Sequence, residues 1–288
     1  MNADPAVAFA EAEHFLHNGR PQDAEAILQR LAGEFPGRVE YEERLIEAVH
    51  RAGRSEPALE RLAALLASLK LTGDAAYDAM YFEALRKTRS VPVPLKRMLR
   101  FHELVKELES VLALSGEVVE CGCYKGMSSF LICSTLRRAD STFDGAGYRI
   151  FDSFKGLAEP TVEDEVPANL KGAAYLNAMS QRGEFAATLE SVRENLVDFP
   201  AIEYHPGWIP LSFKGQPTRA YRFVHVDVDH FDPTLDCLEY FYPQLVPGGV
   251  LVSDDFGWPG ARKAIEEFCA EQDIEYRVTQ WQQAVIRK

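Results

Sequence analysis

Apolar and polar positions follow two different rules along this chain. Through the first ~75 residues apolar positions recur at helical spacing, as in NGRPQDAEAILQRL from Asn18 and AGRSEPALERLAAL from Ala52. Residues 76–94 read as a linker, because Pro92 and Pro94 in KTRSVPVPLKR interrupt a helix and favour extended backbone. A helix is predicted next, over LKRMLRFHELVKELESVLAL. From Glu117 the rule changes to short apolar runs alternating with helical stretches. EVVEC, YRIFDSF, IEYHPGW, YRFVHVDVD and GGVLVSDDF read as strands, and EYRVTQ with QAVIRK as a closing hairpin across Trp281 and Gln282. SSFLICSTLRRA, EFAATLESVRENLVDF, PTLDCLEYFYPQL and GARKAIEEFCAE read as the intervening helices. The alternation predicts an α/β fold, a doubly wound, mostly parallel seven-stranded sheet, over residues 95–288. In such sheets ligands gather beyond the carboxyl ends of the strands, at the switch point.

The two helical stretches near the start repeat each other. Asn18 and Ala52 are 34 positions apart, and Gly19, Arg20, Ala24, Leu28 and Leu31 recur as Gly53, Arg54, Ala58, Leu62 and Leu65. Residues 1–75 therefore resemble two degenerate tetratricopeptide-like units, each a helix pair joined at the glycine. Two units are few for a free-standing solenoid. The expectation is that they pack on the rest of the chain or join a second copy in a homo-oligomer; peptide binding is the other use of such units.

Charge narrows the partners. The formal net charge is -13, which disfavours nucleic acid and acidic membranes. No apolar run approaches a membrane span and the first residues, MNADPAVAFAEAEHF, show no signal peptide. The five cysteines form no zinc pattern and read as reduced thiols of a cytoplasmic protein.

The first strand runs into VVECGCYKGMSS. Gly122 permits a tight turn, Gly126 lets backbone approach a ligand at a helix start, and Ser128 or Ser129 could cap that helix or bond a carboxylate. The spacing is neither the dinucleotide pattern nor a P-loop. It resembles motif I of class I S-adenosylmethionine-dependent methyltransferases of the catechol O-methyltransferase type, through Glu120, Gly122, Tyr124, Gly126 and Ser128. The run DSFKGLAEP, which includes Asp152 and Ser153, is similar to the macrocin O-methyltransferase family. That resemblance covers about Leu95 to Lys288, in a family described as metal-dependent and acting on hydroxyls of natural-product sugars and related scaffolds. It implies that Asp152 accepts from the ribose hydroxyls and that Gly207 and Trp208 of HPGW lie beside the adenine.

The resemblance also gives a meaning to the acids that close strands four and five. Those strands are neighbours about 4.8 Å apart in such a sheet, so Asp227, Asp254 and Asp255 could converge on one hard divalent cation, Mg²⁺ first. Asp254 and Asp255 follow Asp227 by 27 and 28 positions (254 − 227, 255 − 227), the spacing of the metal-dependent families. His230 stands where the catechol enzymes hold a lysine base, a place the macrocin family generally does not fill with histidine; Asp227 and Asp229 compete with it as the base. His225 reads as a core residue and Asp232, before Pro233, as a helix cap.

The expected function is a Mg²⁺-dependent S-adenosylmethionine O-methyltransferase with a small-molecule hydroxyl acceptor. A glycosyltransferase using Asp227 and Asp229 as a D-x-D pair, and an inactive methyltransferase-like binding protein, are the alternatives.

Overall fold

A computed structural model describes residues 4–170 and 172–288. The chain divides into two compact units, Met1–His102 and Glu103–Lys288.

The first unit is helical: α1 (Pro5–His17), α2 (Pro21–Glu34), α3 (Val39–Arg51), α4 (Ser55–Leu69), α5 (Ala75–Thr88) and the start of α6 (Leu95–Glu109), which carries the boundary. Asp4 caps α1 by accepting from the Ala6 N–H at 2.9 Å, with Pro5 at the first helical position. Gly19 and Gly53 close the turns after α1 and α3 with φ of +68° and +82°, a conformation that favours glycine. Ala24, Leu28, Ala58 and Leu62 are fully buried, so the repeat seen in the sequence is a repeat of packing positions.

The stretch expected as a linker is corrected by α5. Asp74 caps it through the Tyr77 N–H at 3.0 Å, and Tyr77, Tyr81, Ala84 and Leu85 are buried along one face. The Tyr77 hydroxyl donates to the Met98 carbonyl at 2.5 Å. The two prolines do break the chain, but only between α5 and α6.

The second unit contains β1 (Glu117–Cys121), α7 (Met127–Ala139), β2 (Tyr148–Asp152), α8 (Ala173–Met179), α9 (Leu189–Asn195), β3 (Glu203–Pro206), β4 (Tyr221–Val226), α10 (Phe231–Phe241), β5 (Leu245–Ser253), α11 (Pro259–Glu271), β6 (Tyr276–Val278) and β7 (Ala284–Arg287). The seven strands lie in the order β3-β2-β1-β4-β5-β7-β6. β1 to β5 run parallel, and β7 lies antiparallel to both neighbours. The central strands β1 and β4 are buried along nearly their whole length, as a sheet covered on both sides requires. Val119, Val224, Val226 and Leu251 pack with Leu238 and Phe241 of α10 and Ile265 and Phe268 of α11. The five cysteines are free and buried. Among the described residues no helix is long and apolar enough to cross a membrane.

The chain leaves β1 outward to β2 and β3, then returns to β4 on the other side of β1. This reversal opens a crevice at the carboxyl ends of β1 and β4. Helix α9 is much shorter than the sequence pattern suggests. Phe185 takes a left-handed φ of +55°, and the Thr188 hydroxyl accepts from the Ser191 N–H, so the helix starts only at Leu189.

Candidate functional site

The glycine turn occupies one wall of the crevice. Gly122, Tyr124 and Gly126 all have positive φ (+81°, +47° and +82°), and a β-carbon on Gly122 would lie 1.8 Å from the Asp227 carbonyl oxygen. Only glycine lets β1 turn this close to the end of β4. Gly126 is the N-cap of α7 and no side chain caps that helix, so its first N–H groups have no acceptor within the helix. Ser128 lies in this first turn, buried, while Tyr124 is 42% exposed. Neither Ser128 nor Ser129 is the cap.

Glu120 is placed differently from the sequence expectation. It is completely buried. Its Oε2 accepts from the hydroxyls of Ser129 and of Tyr148, the latter at 2.6 Å, and its Oε1 meets His225 Nδ1 at 2.9 Å. With no accessible surface it fixes the residues beneath the turn rather than presenting itself to a ligand.

Asp152 ends β2 with its carboxylate at the crevice. Its Oδ2 accepts from the Cys123 N–H at 2.7 Å and its Oδ1 from the Phe154 N–H at 2.6 Å. Each oxygen keeps a second lone pair for a ligand hydroxyl. Ser153 is drawn into the same turn, donating to the Gly156 carbonyl at 2.7 Å and accepting from the Lys155 N–H at 3.0 Å. Gly207 follows β3 with φ of +148° and donates to the Asp152 carbonyl at 2.9 Å; Trp208, next along, is half-buried.

Asp227 and Asp254 lie in one cluster whose third member is His225. One donor atom from each of the three lies within 4.8 Å of the others. Asp255 is buried, with its Oδ2 accepting from the Asp229 N–H at 2.9 Å. Burial alone would depress His225, but its contacts with Asp254 and Glu120 outweigh this and hold it up to about 10. His225 Nε2 lies 4.0 Å from Asp254 Oδ1 and has no hydrogen-bond partner. Asp227, partly buried, and Asp254, buried, offer carboxylate oxygens of the kind a hard divalent cation takes, whereas a protonated His225 has no lone pair to add.

His230, three positions after Asp227, is 2% exposed. Its Nε2 lies 3.0 Å from the Ser180 carbonyl and 2.9 Å from the Ser180 hydroxyl. A carbonyl only accepts, so Nε2 carries the proton and Nδ1, buried without a partner, holds the lone pair. Asp232 is not a helix cap. His230 is the N-cap of α10 and Asp232 lies inside its first turn. The residue that sequence reasoning missed is Asp164, whose Oδ1 accepts from the Phe231 N–H at 2.7 Å across 67 positions; nothing local in the sequence signals such a cap.

Residues 88–286 match the model of the macrocin-O-methyltransferase (TylF) family. The tetracenomycin rhamnosyl 4'-O-methyltransferase of Streptomyces olivaceus is 28% identical over 62% of this chain and 68% of its own. Mycinamicin III 3''-O-methyltransferase of Micromonospora griseorubida is 26% identical over 59% of this chain and 68% of its own. The O-methyltransferase NovP shares the fold at a TM-score of 0.55 and 22% identity, over 68% of this chain and 81% of that structure. These matches set aside the D-x-D glycosyltransferase reading. The chain belongs to the macrocin O-methyltransferase family, a family of O-methyltransferases.

Proposed function

We propose that this protein transfers a methyl group from S-adenosylmethionine to a hydroxyl of a sugar-bearing natural product, with a divalent cation, Mg²⁺ first, at the acid cluster. The observation that carries this reading is the contact of Gly122 with Asp227, which makes the nucleoside-type turn and the acids two walls of one crevice. The sugar acceptor is taken from the tetracenomycin relative, whose name specifies a rhamnosyl group.

S-Adenosylmethionine, when bound, supplies an electrophilic methyl group on a sulfonium centre. Asp152 holds the ribose hydroxyls through its remaining lone pairs, its carboxylate pre-oriented by the Cys123 and Phe154 N–H groups. Ser128 and the first turn of α7 receive the cofactor carboxylate, and Gly207 and Trp208 flank the base. Asp227 and Asp254, with Asp255 next in sequence, would hold the cation, whose charge would make a neighbouring hydroxyl more acidic. His230 accepts the hydroxyl proton at Nδ1, oriented by the Ser180 contact at Nε2. Its burial confines this step to a site from which bulk water is excluded. The N-terminal helix pairs serve as tetratricopeptide-type packing units.

Calorimetry with S-adenosylhomocysteine, before and after exhaustive chelation, tests the reading. Cofactor binding should persist without metal while methyl transfer to a rhamnosylated tetracenomycin acceptor is lost and returns with Mg²⁺. Failure to bind S-adenosylhomocysteine removes the methyltransferase assignment; undiminished turnover after chelation removes the cation alone.

A further inference from the structure

Between β2 and α9 the chain makes a long excursion that is closed on itself. At its neck the Leu157 N–H donates to the Glu184 carbonyl at 2.9 Å and the Gly183 N–H to the Leu157 carbonyl at 3.0 Å. Gly156 allows this, since a β-carbon there would lie 2.3 Å from the Glu184 carbonyl oxygen. Farther out, Asn177 pairs with the Val166 backbone twice, accepting at 2.8 Å and donating at 3.0 Å. The excursion thus has its own internal bonding, as a compact loop does.

Two polar residues of this loop, Asp164 and Ser180, are each 4% exposed, and both reach the start of α10. Asp164 Oδ1 accepts from Phe231, the first residue of α10, while its Oδ2 accepts from the Thr161 N–H at 2.8 Å and hydroxyl at 3.1 Å. A β-carbon on Gly260, in the first turn of α11, would lie 1.8 Å from Asp164 Oδ1. The carboxylate therefore sits at the N-terminal ends of both α10 and α11, where the helix dipoles favour a negative charge. These are the helices that follow Asp227 and Asp255. Ser180 supplies the contacts at His230 Nε2 described above.

We infer that this loop is the acceptor-side wall of the methyl-transfer site, with Asp164 and Ser180 as its positioning residues. Asp164 sets the wall against the two acid-bearing turns, and Ser180 sets His230 with Nδ1 as the proton acceptor. The inference rests on the methyltransferase reading and assigns acceptor recognition within it. Asp152 and Ser128, assigned to the cofactor, lie on β2 and α7 and not in this loop, so loosening the wall should weaken acceptor binding and spare the cofactor.

The test uses the full chain with Asp164→Ala, Asp164→Asn and Ser180→Ala. Hydrogen exchange at the first turn of α10 should speed up by about tenfold or more in Asp164→Ala, because the Phe231 N–H loses its acceptor. The KM for the rhamnosylated tetracenomycin probe should rise about tenfold, while S-adenosylhomocysteine affinity stays within about twofold. Asp164→Asn, which keeps one acceptor oxygen for the Phe231 N–H but loses the charge and the acceptance from the Thr161 N–H, should recover part of both effects. Ser180→Ala removes the hydroxyl contact and keeps the carbonyl, so His230 should stay protonated at Nε2 and kcat should fall only a few-fold. Nitrogen-15 spectra of the histidines, with His230→Gln for assignment, should show His230 protonated at Nε2. Unchanged exchange and KM in Asp164→Ala, or an equal loss of cofactor affinity, overturns the wall. Protonation at Nδ1 overturns the positioning of His230. If the wild type fails to bind S-adenosylhomocysteine, the methyltransferase reading falls and the wall falls with it, whereas the exchange result still decides whether Asp164 anchors the loop.

Discussion

Glu120 Oε1 lies 2.9 Å from His225 Nδ1, a bond that ties the strand leading into the glycine turn to the strand leading to Asp227. Removing the carboxylate leaves His225, Tyr148 and Ser129 facing a vacancy with no water to replace it. Glu120→Ala should cost about 3–5 kcal/mol of stability, as loss of one partner of a buried ionic pair does. Glu120→Gln, which keeps an acceptor oxygen, should cost less. Urea denaturation of both variants measures this; equal stability of Glu120→Ala and wild type would show that the network contributes nothing.

Two glycines of the turn should respond very differently to alanine. At Gly122 the added carbon meets backbone at 1.8 Å, and at Gly126 it meets the flexible side chain of Leu196 at 3.3 Å. Gly126→Ala should cost about 1 kcal/mol or somewhat more, the strain of a left-handed alanine. Gly122→Ala must push β1 and β4 apart, and should abolish S-adenosylhomocysteine binding in whatever fraction folds. Thermal melts with calorimetry rank the two, and a milder Gly122 variant would contradict the close approach.

Asp152 both orders the turn and offers lone pairs to a ligand. Asp152→Ala should weaken S-adenosylhomocysteine about 10- to 100-fold, corresponding to the net worth of about one charge-assisted hydrogen bond. Asp152→Asn should fall between. Titration calorimetry gives the answer directly, and affinity unaltered in Asp152→Ala rejects the ribose assignment.

Acid stability should depend on His205. It is stacked on Phe151 at 4.3 Å, with the Arg149 guanidinium 3.1 Å from its Nε2. Burial, then the Arg149 charge, lowers its pKa below 6.5. A histidine depressed on folding takes up its proton more readily when unfolded, so its contribution is complete above pH about 6.5 and is lost as pH falls toward the folded value. His205→Gln should flatten the stability profile on the acid side of neutrality. Parallel denaturation curves for the two proteins from pH 7 down to pH 5 would exclude this source.

What the sequence made legible was what it carries locally. Strand, turn and helix follow one another within VVECGCYKGMSS, so Gly122 and Gly126 could be read from a single string. The pair Asp254 and Asp255 was recognisable because adjacent parallel strands end together. Features depending on distant partners stayed hidden. Asp232 before Pro233 has the local form of a cap, but the true acceptor for α10 arrives from Asp164, and the helix begins earlier than Asp232 would have it. His225 read as core, and it is buried, yet strand pairing with Glu120 and the nearness of Asp254 make it part of the charged cluster. Helix α5 was obscured by the nearby prolines, although its cap and apolar face lie in plain order in DAAYDAMYFEAL.

The enclosed thiols have a practical consequence. Burial drives Cys121, Cys123 and Cys133 well above the ordinary thiol range, and Cys269 up to about 11, while alkylating reagents react with exposed thiolate. The native molecule is therefore silent to maleimide, and a cysteine introduced on the surface can be labelled alone. The same silence makes the five natural sulfurs an internal clock: each becomes reactive only when the segment around it opens, so pulsed labelling read by mass reports the order in which the sheet and its helices come apart.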